Sequence, residues 1–182
     1  AHYNLGYIAF HQKDYTQAQN WFRKYISLEK GENKTALADA YNRIGDCYLD
    51  VRNFDEAKHY YSQAEAMNTP SGDYSFYQLA LVSGLQKDYS GKITLLNRLA
   101  GKYPASPYAI SALYEKGRSY VLMDNNQQAI ASFKELLAKY PESPVSRKAA
   151  AEIGLLYYQN EDYDQAINAY KQVVQKYPGS DE

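Results

Sequence analysis

A single cysteine, Cys47, stands among the 182 residues. It cannot form a disulfide within the chain, and one cysteine makes neither a zinc site nor a redox pair. Histidine is almost as scarce. Of the three, His2 and His11 are nine apart, which at about 100° per residue puts them on opposite sides of a helix and out of reach of a shared metal. Neither sign of charge prevails: 20 Lys and Arg face 21 Asp and Glu, so no electrostatic excess points to nucleic acid or to an anionic membrane. Long apolar runs are missing too. Stretches such as Ile153 to Tyr158 fall far short of the ~20 residues that cross a bilayer, so no direct membrane insertion is expected. Residues 1–10 lack the basic region, apolar core and small-residue cleavage site of a signal peptide, and none is expected in this sequence. Neither a Gly-x-Ser-x-Gly elbow nor a His-Glu-x-x-His pair occurs. Ser90-Gly91-Lys92-Ile93-Thr94 has the wrong glycine spacing for a phosphate-binding loop, with Ile93 where a Ser or Thr is required. No catalytic, metal or cofactor site is expected, and the chain is not read as an enzyme.

Self-similarity is abundant. Tyr114-Glu-Lys-Gly117-Arg-Ser-Tyr120, Gln128-Ala129-Ile130, Phe133 and Tyr140-Pro141 return 37 residues later as Ala151-Glu-Ile-Gly154-Leu-Leu-Tyr157, Gln165-Ala166-Ile167, Tyr170 and Tyr177-Pro178. The same frame fits Gly45, Tyr48, Ala57 and Tyr61, and before them Gly6, Ala18 and Phe22. A weaker copy has Ala80 in the glycine slot and Lys92 in the alanine slot. The phase markers Gly6, Gly45, Ala80, Gly117 and Gly154 divide the chain into repeats at about 1–33, 34–71, 72–105, 106–142 and 143–182.

Local signals make each repeat a helix, a tight turn and a second helix. All six prolines (Pro70, Pro104, Pro107, Pro141, Pro144 and Pro178) fall between repeats, where a fixed φ and a missing N–H end a helix instead of breaking one. Within four repeats, Asp14, Asn53, Asn125 and Asp162 precede Gln17, Glu56, Gln128 and Gln165 by three residues, the capping-box spacing of a helix start. In the third repeat Asp88 precedes Gly91 and the box is incomplete. Apolar residues such as Ile130, Phe133, Leu136, Leu137 and Tyr140 recur three and four apart, the stripe of an amphipathic helix. The spacing predicts ten helices: 1–12 and 15–29, 36–50 and 54–67, 73–86 and 89–102, 107–123 and 126–139, 145–160 and 163–176.

The Gly-to-aromatic, Ala and Tyr-Pro markers together resemble the tetratricopeptide repeat. The resemblance implies an all-α fold, an α–α superhelix of about five helix–turn–helix repeats forming one array over 1–182. In such a solenoid each pair buries its apolar stripe against its neighbours. The period here exceeds the usual ~34 residues. The longer Tyr-Pro-x-Ser-Pro style of Tyr103–Pro107 and Tyr140–Pro144 resembles tetratricopeptide proteins of the bacterial cell envelope, which implies a periplasmic or envelope location, with the cytoplasm as the alternative.

The resemblance further implies a noncatalytic interaction scaffold that takes a peptide or partner protein on the concave face of the first helices. The matching positions are Tyr3 and Tyr7, Asn42 and Asp46, Tyr77 and Leu81, Tyr114 and Arg118, and Ala151 and Leu155. Tyr3 and Tyr7 stand where chaperone-type relatives carry Lys and Asn, so a carboxylate clamp of that kind is not expected. Arg118 is expected either to meet a partner or to pair with an acidic neighbour. Tyrosine is the one real excess, at 21 residues; Tyr48, Tyr61, Tyr120, Tyr157 and Tyr170 match core slots of the repeat, and stacking of single-stranded nucleic acid would need a positive groove. Both ends look cut from a longer repeat protein. Their uncapped faces are expected to support self-association, and a spacer or self-association segment is the alternative function.

Overall fold

The computed structural model describes residues 1–177; the closing Pro178 and the end of the last repeat at 182 lie outside the described residues. Ten α-helices and no strand occur among the described residues: α1 (His2–His11), α2 (Tyr15–Leu28), α3 (Lys34–Asp50), α4 (Phe54–Ala66), α5 (Gly72–Leu85), α6 (Tyr89–Lys102), α7 (Ala109–Leu122), α8 (Asn126–Lys139), α9 (Pro144–Gln159) and α10 (Tyr163–Lys176). Their ends lie within two residues of the sequence expectation. The chain divides into two compact units, residues 1–102 with α1–α6 and residues 103–182 with α7–α10.

One turn, used five times, joins the helices of each pair. At the end of α1 the N–H of Lys13 donates to Phe10 O and that of Asp14 to Ala9 O; the same two bonds recur at Arg52 and Asn53, Lys87 and Asp88, Asp124 and Asn125, and Glu161 and Asp162. This is the Schellman closure, and it requires a left-handed residue. Lys13, Arg52, Lys87, Asp124 and Glu161 hold that conformation, with φ between 54° and 63°. The next residue caps the following helix. Asp14, Asn53, Asn125 and Asp162 accept from the backbone N–H groups of Gln17, Glu56, Gln128 and Gln165. Asp88 does the same for Gly91 at 2.9 Å, so the third repeat has the same cap without a Gln or Glu at that place, the N–H of each capping residue being taken by a carbonyl of the turn. Because one residue ends one helix and begins the next, the two helices are held antiparallel and close.

Closeness is set by the phase glycines. A Cβ on Gly6, Gly45, Gly117 or Gly154 would lie 2.4–2.8 Å from a ring carbon of Phe22, Tyr61, Phe133 or Tyr170, sixteen residues on. The glycine is therefore the seat of an aromatic ring from the partner helix. In the third repeat both members change: Ala80 takes the glycine place, and Leu96, also buried, replaces the ring. Lys92, in the alanine slot, is buried alongside Gly84, where a Cβ would lie 2.9 Å from Lys92 Cδ. A glycine four residues past the marker thus makes room for a long side chain where the other repeats have alanine.

Within the first unit, the pairs α1/α2, α3/α4 and α5/α6 stack through α2 on α3 and α4 on α5. Ala9, Phe22, Ala40, Ile44 and Cys47 form one core, and Ala57, Tyr61, Leu79 and Val82 another. In the second unit α7/α8 stacks on α9/α10 through α8 and α9, around Leu113, Phe133, Leu136, Ile153 and Leu156. Each fully buried ring contributes on the order of 1.5–3 kcal/mol. Ser90–Thr94 lies inside α6 and has the shape of no loop. The loop before α9 is held by Ser143, whose side chain accepts from Val145 N–H with Pro144 in the first turn, and by Ser146 Oγ donating to Tyr140 O at 2.6 Å.

Candidate functional site

The first helices of each unit are bridged to one another by hydroxyl or guanidinium groups on carboxylates. Tyr3 and Tyr7 of α1 both donate to Asp39 Oδ2 of α3, Tyr3 at 2.6 Å. Tyr74 of α5 donates to Asp46 Oδ1 of α3 at 2.7 Å, and Tyr61 of α4 donates to the same oxygen at 2.7 Å. Arg43 lies between the two carboxylates. Its Nη1 pairs with Asp46 Oδ2 at 2.6 Å, its Nε is 3.5 Å from Asp39, and its guanidinium sits 4.8 Å from the Tyr74 ring centroid. In the second unit Arg118 of α7 donates to Glu152 of α9 at 2.9 Å, and Tyr114 donates to the same oxygen at 3.4 Å. The Arg118 side chain keeps 43% of its exposure.

Burial and these partners tune the groups in one direction. Burial, joined by the bond to Asp39, pushes the Tyr7 hydroxyl up to about 12, and Tyr3, Tyr61 and Tyr74 also rise, from burial and their carboxylate neighbours. All four are protonated donors at neutral pH. Burial raises the Asp46 carboxyl against the pull of Arg43 and the two tyrosines. Burial also works against the Arg43 charge, but Asp46, Tyr74 and Asp39 outweigh it and hold the guanidinium protonated. The arrangement acts as hydrogen-bonding struts between repeats. Among the described residues no three His, Cys, Asp or Glu side chains gather where they could hold a metal ion. His2 instead stacks on Trp21, 5.8 Å between ring centroids.

The ten sequence-expected contact positions divide by surroundings. Tyr3, Tyr7 and Asp46 are half-buried and tied into the struts, and Asn42 is buried with its Oδ1 accepting from Ser75 Oγ at 2.9 Å. Tyr77 and Leu81 of α5 are half-buried. In the second unit Tyr114, Ala151 and Leu155 come together with Lys148, Glu152 and Tyr170 around an open pocket of about 360 Å³. Leu155 is exposed there, and Arg118 stands beside Glu152. Asp39, Arg43 and Glu152 were missed by sequence reasoning. The strut partners on neighbouring first helices lie 28–38 residues apart, about one repeat, so a search for opposite polarity one period on would have found the pairs.

The tyrosines expected in core slots are unequally buried. Tyr61 is fully buried, whereas Tyr48, Tyr120, Tyr157 and Tyr170 keep an exposed edge. Two of those edges carry cations: Arg23 donates to the Tyr48 and Tyr60 hydroxyls, and Lys134 to Tyr157 at 3.0 Å.

Family patterns described as tetratricopeptide repeat match residues 1–69, 42–107 and 114–181. The chain belongs to the tetratricopeptide repeat family. Solved structures agree in fold: a MamA crystal structure superposes with a TM-score of 0.76 at 19% identity over 94% of each chain. MamA residues 41-end from Desulfovibrio magneticus RS-1 gives 0.75 at 15% identity, covering 100% of this chain and 96% of that one. YrrB, a tetratricopeptide protein with an unusual peptide-binding site, gives 0.71 at 18% identity over 98% of this chain and 86% of its own. In sequence, the ycf37 protein of Guillardia theta is 40% identical over 62 residues, which are 34% of this chain and 35% of that protein, so the match spans about a third of its length. The fold is a tetratricopeptide solenoid, and a role in protein interaction goes with it. No helix among the described residues is long and apolar enough to cross a membrane.

Proposed function

We propose that the chain is a noncatalytic scaffold, one array over 1–182, that holds a peptide or partner protein on the concave face of its first helices, in the assembly or organisation of a bacterial envelope. The observation that carries the reading is the open pocket where Tyr114, Ala151 and Leu155 meet Glu152, Lys148 and Tyr170. It offers an apolar floor beside groups of both signs, the composition that gives contact area with directional bonds at recognition surfaces. Tyr77 and Leu81 are the corresponding proposed contacts on the first helix α5 of the first unit. The envelope setting rests on the Tyr-Pro-x-Ser-Pro loops, and a periplasmic location goes with it. YrrB supports the peptide as ligand class through its own peptide-binding site.

A pull-down from bacterial envelope extract tests this, with wild type beside a Tyr77→Ala, Tyr114→Ala, Arg118→Ala variant of matched thermal stability. A protein retained by wild type and lost by the variant is the expected result; retention by both would remove the site from this face. A second reading, a spacer or self-association segment, is favoured by the apolar side of α10, where Tyr163, Ile167 and Val174 are exposed. Sedimentation that shows association with rising concentration, abolished by Val174→Glu, would support it.

A further inference from the structure

The second unit carries another slot, away from the pocket above, where α8, α9 and α10 meet. Its volume is about 270 Å³, and its floor is apolar: Leu137, Ala150, Ile153 and Ala169. That is below the ~300–1,000 Å³ of ordinary small-molecule sites, so it suits one or two side chains of a peptide and not a metabolite. Lys134 and Lys176 stand at its edges. Neither has a carboxylate partner among the described residues. Lys134 donates to the Tyr157 hydroxyl and lies 5.5 Å from that ring's centroid, and Lys176 lies 5.7 Å from the Tyr177 ring. Gln165, Asn168 and Gln172 complete the rim, and among the described residues no acidic side chain lines the slot.

The same design recurs in the first unit. Where α2, α3 and α4 meet, a slot is lined by Arg23, Tyr41 and Tyr60 and again, among the described residues, by no acid. Arg23, at the place in its repeat that Lys134 holds in the fourth, is bound by the Tyr48 and Tyr60 hydroxyls. The chain's acids are not short in number, at 21. On the first-helix face Asp39, Asp46 and Glu152 are all engaged by the chain's own donors. Cations positioned by aromatic rings, beside an apolar floor and without a carboxylate partner among the described residues, are complementary to carboxylates flanking an apolar side chain.

We infer that the slot between α8, α9 and α10 is a second docking site, for an acidic protein segment in which a leucine-sized residue is flanked by Asp or Glu. The apolar residue enters over Ala150 and Ile153, and the flanking carboxylates take Lys134 and Lys176. This surface is separate from the concave face of the proposed function, and its test does not depend on that reading.

The experiment is fluorescence anisotropy with a labelled peptide of alternating leucine and glutamate, and a leucine–glutamine peptide of equal length as control, against the full chain. The acidic peptide is expected to bind at least about tenfold more tightly than the amide control, and to lose about that factor with Lys134→Gln, Lys176→Gln. Asn168→Glu, an added charge on an exposed rim position, is expected to weaken it without altering the core. Lys139→Gln, and the pair Tyr114→Ala, Arg118→Ala, are expected to leave it unchanged. Equal binding of the two peptides, no measurable binding of the acidic one, or binding undiminished in both slot variants would overturn the inference; loss in the Tyr114, Arg118 pair would move the site to the first-helix face.

Discussion

Gly117→Ala tests the packing rule on which the repeats are built. The added methyl would lie 2.4 Å from Phe133 Cε1 and 2.7 Å from both Cδ1 and Cζ. Phe133 is fully buried among Leu113, Leu136, Ala149 and Ile153, so its ring cannot swing clear. Overpacking of this kind costs ~1–3 kcal/mol, and the better helix propensity of alanine returns about 1 kcal/mol. A net loss of about 0–2 kcal/mol follows, so the gain expected of an ordinary helical Gly→Ala change is cancelled or reversed, at roughly 2–4 °C in Tm per kcal/mol for a chain of this size. Gly101→Ala is the matched control: it lies in the last turn of α6, nothing is within 4 Å of its added Cβ, and a gain of about 0.5–1 kcal/mol is expected. The third repeat already pairs Ala80 with Leu96, so Gly117→Ala combined with Phe133→Leu should recover about 1–2 kcal/mol relative to the sum of the single changes. Denaturant unfolding followed by circular dichroism gives the energies, and hydrogen exchange in α7–α10 localises them, since repeat arrays need not unfold as one unit. Stabilisation by Gly117→Ala as large as that by Gly101→Ala, or a coupling near zero, would refute the reasoning.

Other outcomes follow from the turns, the struts and the buried thiol. Glu161→Gly should raise Tm modestly, because the left-handed conformation costs an L-residue about 1–2 kcal/mol and glycine gives back about half of that as unfolded-state entropy; Glu161→Val should lower it. Asn125→Ala should cost about 1 kcal/mol in thermal unfolding through the lost cap on Gln128. Burial pushes the Cys47 thiol up to about 12 from 9.0, and Tyr7 to about 12 from 10.0. Both are raised in the folded state, so their contribution is complete below the unfolded values and is lost as pH rises toward the folded ones. Tm should hold to about pH 9 and then fall toward pH 12, with the Tyr3, Tyr7, Tyr61 and Tyr74 phenolate absorbance appearing only as the chain unfolds. A titration showing all 21 tyrosines ionising together in the folded chain would contradict this. Arg118→Ala should cost less than about 1 kcal/mol of stability, since the half-exposed pair with Glu152 is screened by solvent.

The helices were legible because the repeat states its period, prolines and caps several times over, and each local signal agrees with the others. The turn conformation was less so. Lys13, Arg52, Lys87, Asp124 and Glu161 sit in a left-handed position that glycine or asparagine usually marks, and the paired closure bonds impose it. Small residues at the markers set the phase of the repeats; that a ring lies on each marker glycine shows only in three dimensions. Lys92 in the alanine slot marked the third repeat as a weaker copy, and its partner change, Gly84, lies outside the marker positions and on the other helix. The candidate contact residues were placed on first helices as the repeat register requires. Their ties to Asp39, Arg43 and Glu152 needed a further search one period along the chain, because a register places a side chain on a face and does not by itself say what the next repeat sets against it. Asn42 shows the consequence: α3 is flanked by α1 and α5, and the residue is buried against Ser75.

The most direct test of the scaffold account is site-specific photocrosslinking in bacterial cells that express the chain, with the photoreactive residue at Leu155, in the pocket beside Tyr114, or at Leu28, an exposed position on the second helix α2. The account predicts a discrete adduct with another protein from Leu155 that is lost with Tyr114→Ala, Arg118→Ala and is absent from Leu28. Adducts from Leu28 alone, or adducts from Leu155 that survive the double substitution, would contradict it.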